Sequence, residues 1–223
     1  MGIVEVNQTF YQVPDLKLAH KWRSEAPADF EFTVKAWQLI THPYGGPTYR
    51  KLKEKVPEKS RKCYGMFRQT NEVFEAWQKT LLFGQLLKTK VYLFQTPPAF
   101  YPHIDNITNM TKFFSGIAPT VQRLGLTLCW EPRGKWPADL IIKLCSQLNL
   151  VHCVDPLKNK PLHGHVRYFR LHGPYNGEKI SYDYDFNDGN MKSILPFLDK
   201  PINYVFFNNV SMWQNAIDFK KML

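Results

Sequence analysis

The sequence has no apolar run long enough to cross a bilayer, which takes about 20 residues, and its start, Met1–Glu5, lacks the basic and apolar regions of a signal peptide. It has only four cysteines and no Cys-x-x-Cys pair. Because Cys129 and Cys153 lie in strand-like runs and Cys145 in a helical one, we interpret them as buried thiols instead of zinc ligands or disulfides. These absences predict a cytoplasmic protein that does not insert into membranes.

Acidic residues are scarce: 19 Asp and Glu face 29 Lys and Arg, which gives a formal net charge of +10. Such an excess favours an anionic partner, either a phosphorylated small molecule or nucleic acid. The cations concentrate between Arg50 and Arg68, a range we call the basic segment, where the only acids are Glu54 and Glu58. The segment is either a solvated surface or an arm that attracts a polyanion.

Glycine-rich phosphate-binding motifs of the Rossmann or P-loop type are also absent, which weakens the case for a doubly wound sheet. Instead, short apolar runs alternate with helical patterns, as expected for parallel βα units. The predicted strands are 3–11, 30–37, 91–95, 126–131, 151–155, 168–172 and 204–208. We therefore predict an α/β fold, a TIM-barrel-like (β/α) barrel of parallel strands formed by a single domain over residues 1–223.

Most of these runs end in polar side chains, and active sites of TIM barrels lie at the carboxyl ends of the strands. The predicted catalytic residues are Lys35, Glu131, Asp155 and His172. The predicted substrate-binding residues are Glu5, Asn7, Gln95, Arg133, Arg170, Asn208 and Asn209. A structural explanation also exists, because Glu131 could simply neutralise Arg170 inside the barrel.

The same runs carry a family resemblance. The chain resembles the YecE-like proteins, the family known as domain of unknown function 72, in segments that include 4–11, 30–35, 41–42, 94–100, 131–133, 168–173 and 204–209. The resemblance implies a TIM-barrel-like fold and no established reaction. Members usually open with a further strand that carries a Gly-x-Ser/Cys-Gly-Trp-like motif. Since this chain starts at what resembles the second strand, we expect a barrel without its first strand, or a gene start placed too late.

Three functions stay open at this stage. In the first, Lys35, Arg133 and Arg170 hold an anionic group. Glu131, Asp155 and His172 then either transfer protons or bind a divalent metal that activates water for phosphoester hydrolysis. In the second, a sugar isomerase or lyase uses Glu131 and Lys35. In the third, a non-catalytic protein binds nucleic acid through the basic segment, with nearby tyrosines available for stacking. The sequence carries no signal for the oligomeric state.

Overall fold

Parallel β-strands alternate with helices along the chain in the computed structural model, which describes residues 2–176 and 179–223. The structure divides into two compact units, an N-terminal unit of residues 2–150 and a C-terminal unit of residues 151–223. The predicted single domain over 1–223 stays a prediction. Within the described residues, none of the helices combines the length and the apolar character that crossing a membrane requires.

The N-terminal unit contains a sheet of four parallel strands with their connecting helices. Its strands are β1 (Ile3–Val6), β2 (Glu31–Lys35), β3 (Val91–Thr96) and β4 (Thr127–Pro132), each paired with the next. Its helices are α1 (Gln8–Tyr11), α2 (Leu16–Glu25), α3 (Gln38–Thr41), α4 (Asn71–Leu86), α5 (Ile104–Leu124) and α6 (Ala138–Gln147). Asp15 caps α2 by accepting a hydrogen bond from the Lys17 amide.

One face of this sheet packs on the helices through aromatic rings. Tyr92 and Phe94 of β3 contact Trp77 of α4 at ring-centroid distances of 5.4 and 5.5 Å, and Phe94 also contacts Phe113 of α5 at 5.9 Å. Because side chains alternate along a strand, the residues between these aromatics point to the opposite face. That opposite face carries the polar side chains described below.

The C-terminal unit repeats the pattern with three parallel strands. They are β5 (Leu150–Val154), β6 (Arg167–Leu171) and β9 (Asn203–Phe207), and β6 pairs with both of the others. A two-stranded antiparallel ribbon, β7 (Tyr175–Asn176) with β8 (Lys179–Ile180), follows β6. The helices are α7 (Asp188–Lys192) and α8 (Met212–Lys221).

The hydrophobic core of the C-terminal unit lies on one face of its strands. Phe169, Leu171 and Phe207 pack there with Phe186 and Phe219, the latter from α8. Asn187 is the N-cap of α7, and its side chain forms a capping box with Asn190. By alternation, the strand residues between those core side chains face the other way.

The predicted strand 3–11 is wrong in its second half, because the chain leaves β1 after Val6 and forms the single turn α1. The reason is a tertiary contact: the buried Thr9 hydroxyl lies 2.8 Å from the Val6 carbonyl oxygen and 2.7 Å from that of Lys35. The hydroxyl thus ties the turn to the end of β2. An extended chain over residues 7–11 would lose these contacts.

Helix α5 runs continuously from Ile104 to Leu124 although Pro119 lies inside it. Pro119 is exposed, so water can solvate the carbonyl group that its missing N–H leaves unpaired. Helix α7 ends at Lys192, and a short 3-10 turn, Leu195–Phe197, follows it.

Candidate functional site

Register places five polar residues of the N-terminal sheet on one face. Glu5 is paired with Thr33, Lys35 with Leu93, and Gln95 with Glu131. Because side chains two residues apart share a face, Lys35, Gln95 and Glu131 all project away from the helix-packed face near the carboxyl ends of their strands. Glu5, Lys35 and Glu131 are buried.

Two contacts help to hold the Lys35 side chain in place. Its ammonium group donates a hydrogen bond of 2.7 Å to Gln95 Oε1, and it lies 4.0 Å from the centroid of the Phe10 ring. An amide oxygen and an aromatic face both stabilise a positive charge, so the site suits the ammonium form of Lys35. Gln95 therefore connects Lys35 on one side with its strand partner Glu131 on the other.

Glu131 and Arg133 form an ion pair at the end of β4. Arg133 Nη2 lies 2.7 Å from Glu131 Oε1, and the two side chains are 16% and 7% exposed. Removal from water strengthens the attraction between the charges, but it also makes the loss of either partner costly. The pair combines a proton-accepting carboxylate with a guanidinium able to bind an anionic group.

His42 belongs to this cluster, although the sequence did not single it out as a site residue. Its ring packs edge-on against Phe10 at 4.9 Å, the same ring that Lys35 contacts, and its Nδ1 lies 2.8 Å from Thr41 Oγ1. Burial lowers the pKa of His42 to about 3, helped by the positive charges of Lys35 and Arg133. The imidazole is therefore neutral at neutral pH.

Glu5 lies deeper in the sheet than Lys35, since its strand partner Thr33 precedes Lys35 by two residues. Burial raises the pKa of the Cys129 thiol well above its usual range, and the negative charge of Glu5 raises it further. Cys129 is thus an unreactive thiol on the same face as Glu131. Asn7 follows β1, where its carbonyl oxygen accepts the Phe10 amide as α1 begins.

In the C-terminal unit, Asp155 and His172 lie together just beyond β5 and β6. The Asp155 carboxylate accepts hydrogen bonds from the amides of Leu157, at 3.1 Å, and His172, at 3.4 Å, and it pairs with Lys158 at 3.5 Å. Burial raises the pKa of Asp155, while Lys158 and the amide hydrogen bonds oppose that rise. Asp155 is therefore well placed to fix the backbone at His172.

The other predicted residues of this unit differ in their surroundings. Arg170 is buried and lies on the same side of β6 as His172, two residues later. Asn208 follows β9, and its amide donates to the Leu171 carbonyl oxygen. The Asn209 side chain instead joins a buried network, donating to the Tyr184 carbonyl oxygen at 2.8 Å and to Asn215 Oδ1 at 2.6 Å.

The structure thus supports two local groups of the predicted residues. Lys35, Gln95, Glu131 and Arg133 are brought together in the N-terminal unit, and Asp155 with His172 in the C-terminal unit. A single site that combines both groups stays a prediction. Among residues 2–176 and 179–223, no group of three or more His, Cys, Asp or Glu side chains is arranged to hold a metal ion.

Comparison with known proteins places the chain by fold. A DUF72 family protein from Enterococcus faecalis superposes with a TM-score of 0.69 at 18% identity, covering 100% of this chain and 89% of that one. A DUF72 family protein from Thermotoga maritima superposes with a TM-score of 0.67 at 22% identity, covering 100% of this chain and 84% of that one. A D-tagatose 3-epimerase-like protein superposes with a TM-score of 0.59 at 14% identity, covering 100% of this chain and 86% of that one. The fold shared with these proteins is the (β/α) barrel of the TIM type, which confirms the predicted fold class.

Sequence comparison gives the family directly. No curated protein is significantly similar to the chain. Residues 1–223 match the family described as "Protein of unknown function DUF72", the same family that the sequence resemblance indicated. The chain belongs to the DUF72 family.

Proposed function

We propose that this chain is an enzyme of the sugar isomerase or lyase type that acts on an anionic, sugar-like substrate. It would bind that substrate at the carboxyl ends of β1–β4. The observation that carries the proposal is the placement of Lys35 and Glu131, both buried, on one face of the sheet with Gln95 between them. A fixed ammonium group beside a carboxylate is the minimum apparatus for moving a proton next to a carbonyl group.

The roles follow from the charges. The Glu131 carboxylate would take the proton from the carbon beside the substrate carbonyl, while the Lys35 ammonium stabilises the negative charge that develops on the carbonyl oxygen. In an isomerase that proton returns to the former carbonyl carbon, while the proton of the neighbouring hydroxyl passes to the former carbonyl oxygen, so the product is an isomer of the substrate and the atoms balance. Arg133 would hold an anionic substituent, such as a phosphate or carboxylate, through its guanidinium.

His42 fits this chemistry as a neutral hydrogen-bonding group. With its Nδ1 directed to Thr41, the other ring nitrogen is left for a substrate hydroxyl or carbonyl oxygen. A neutral imidazole adds no third positive charge beside Lys35 and Arg133, so it would not compete with them for the Glu131 carboxylate.

The fold shared with the D-tagatose 3-epimerase-like protein supports the proposal only by analogy, because one barrel fold hosts many reactions. The experiment is proton exchange. The protein would be incubated in D2O with a panel of ketoses, aldoses and their phosphates, and deuterium at the carbon next to the carbonyl followed by NMR. Enzymatic incorporation is expected for at least one phosphorylated sugar.

The variants Lys35→Met and Glu131→Gln should lose this exchange while retaining native circular dichroism. Lys135→Met, which removes an exposed ammonium group near the end of β4, is the control and should exchange normally. Absence of exchange across the panel would contradict the proposal. So would release of phosphate from phosphoesters without exchange, which would favour the metal-assisted hydrolysis considered from the sequence.

A further inference from the structure

The basic segment presents most of its positive charge to solvent. Seven of its eight cations are exposed: Arg50, Lys51, Lys53, Lys55, Lys59, Arg61 and Lys62. Both of its acids are already engaged, since Glu58 pairs with Arg61 at 3.2 Å and Glu54 with Lys79 of α4 at 3.4 Å. The segment therefore carries a surplus of positive charge that attracts an anionic partner.

An exposed aromatic ring accompanies this charge. Tyr44 is 38% exposed, and the Arg61 guanidinium lies 5.1 Å from the centroid of its ring. Tyr49 supports the same ring edge-on at 5.1 Å. A tyrosine ring held beside an arginine is a surface on which a nucleobase stacks, since every base offers a flat π face.

The segment is also anchored, although its regular structure is limited to the end of one 3-10 turn, Pro47–Lys51, and to a second, Glu58–Cys63. The side-chain oxygen of Gln12 accepts the amides of Lys53 and Glu54 at 3.3 and 3.4 Å. The Thr70 hydroxyl donates to the Cys63 carbonyl oxygen at 2.8 Å. A partner would thus meet charges whose backbone is already fixed, which lowers the entropic cost of binding.

We propose that the basic segment, together with Tyr44, binds single-stranded nucleic acid. The lysines and Arg50 hold phosphates, and one base stacks on Tyr44, which a base inside a duplex could not do. A lipid surface fits less well: Tyr44 is the only large apolar side chain exposed between residues 44 and 68, and the segment forms no amphipathic helix that could enter a bilayer. This binding is additional to the proposed reaction and does not depend on it.

The test compares two variants with matched loss of charge. In the first, Lys51, Lys53, Lys55, Arg61 and Lys62 are changed to Gln. In the control, five exposed cations on helices α2, α5 and α6 are changed to Gln: Lys17, Lys21, Lys112, Arg123 and Lys143. Binding to a fluorescein-labelled single-stranded 20-mer of mixed sequence is measured by anisotropy between 50 and 200 mM salt, and circular dichroism verifies folding.

The first variant should bind on the order of a hundredfold more weakly at 50 mM salt, with a shallower dependence of affinity on salt. The control should stay within about threefold of the wild type, because it leaves the local phosphate contacts in place. Equal losses in both variants would show that net charge alone attracts the 20-mer and would overturn the proposal. Failure of the wild-type protein to bind would also overturn it.

Two further measurements test the stacking and the choice of partner. Tyr44→Ala should weaken binding roughly fivefold or more at every salt concentration, and Tyr44→Phe, which keeps the ring, should restore it. Vesicles in which a third of the lipid is anionic should bind the protein more weakly than the 20-mer does. If the vesicles bind as tightly, or if Tyr44→Ala binds like the wild type, the segment is not a single-strand site.

Discussion

Arg133 and Glu131 form a 2.7 Å ion pair across a single residue, Pro132, at the end of β4, and both side chains are largely removed from water. Glu131→Gln or Arg133→Gln alone should lower the free energy of unfolding by about 3 kcal/mol, because each leaves its partner's charge buried. In the double variant the loss should fall short of the sum by about 1–3 kcal/mol. Urea unfolding of the four proteins at pH 7 measures this coupling.

The exposed pair Glu58 and Arg61 provides the control for this double-mutant cycle. Its N–O distance of 3.2 Å is similar, but the Glu58 side chain is 88% exposed. The corresponding cycle there should give a coupling below about 0.5 kcal/mol. A coupling at Glu131 and Arg133 no larger than that at the control pair would show that burial does not strengthen the interaction.

The low pKa of His42 predicts how stability depends on pH. The unfolded chain takes up a proton near pH 6.5, whereas the folded protein resists it until about pH 3. His42 therefore stabilises the fold fully above pH 6.5, and this contribution is lost as the pH falls toward 3. Between pH 7 and pH 5 the expected loss is about 2 kcal/mol from this group alone.

The check is urea unfolding of the wild type and of His42→Phe at both pH values. Phenylalanine keeps a ring against Phe10 but cannot take up a proton, so the variant should lose about 2 kcal/mol less than the wild type on acidification. His20→Gln removes an exposed ring on α2 and serves as the control. Identical pH dependence of the wild type and His42→Phe would rule out a buried neutral imidazole.

Gly65 lies directly against the backbone of His42. It has a φ of +78°, and a Cβ atom at this position would overlap the His42 carbonyl group. Gly45 has a similar left-handed φ of +94° but open space around it, so Gly45→Ala should cost only the backbone strain, about 1–2 kcal/mol.

Gly65→Ala should cost at least about 2 kcal/mol more than Gly45→Ala, because it adds a steric overlap to the same strain. Thermal unfolding of both variants gives the comparison. Equal losses would mean that the His42 backbone moves aside freely, and the imidazole would then be poorly positioned.

The sequence predicted the part of the site that lies on strands. Strand β4 was expected at 126–131 and occurs at Thr127–Pro132, and β3 was expected at 91–95 and occurs at Val91–Thr96. Apolar runs bounded by proline and polar residues are local signals, so they locate strand ends well. The grouping of Lys35, Gln95 and Glu131 then follows from alternation along neighbouring strands.

The contributions of turns could not be predicted in the same way. His42 reaches the cluster only because α3 turns the chain back after β2, and Thr9 is drawn out of β1 by a bond to a carbonyl 26 residues away in sequence. Both depend on contacts between distant segments, which no periodicity encodes. The one signal in the sequence that pointed to His42 was the resemblance of residues 41–42 to the YecE-like family.

The basic segment is tied at both ends to one short helix. Before the segment, the Tyr49 hydroxyl donates to the carbonyl oxygen of His42 at 2.8 Å; after its turns, Gly65 and Phe67 donate to the carbonyl oxygens of Leu39 and Ile40. The residues between these hydrogen bonds form a closed loop, and its length can change without a change in the strands of the sheet. Doubling such a loop costs only about 0.6 kcal/mol in closure entropy. Insertions and deletions can therefore accumulate there while Lys35 and Glu131 keep their geometry, so the proposed nucleic-acid contact and the proposed active site can change independently of each other.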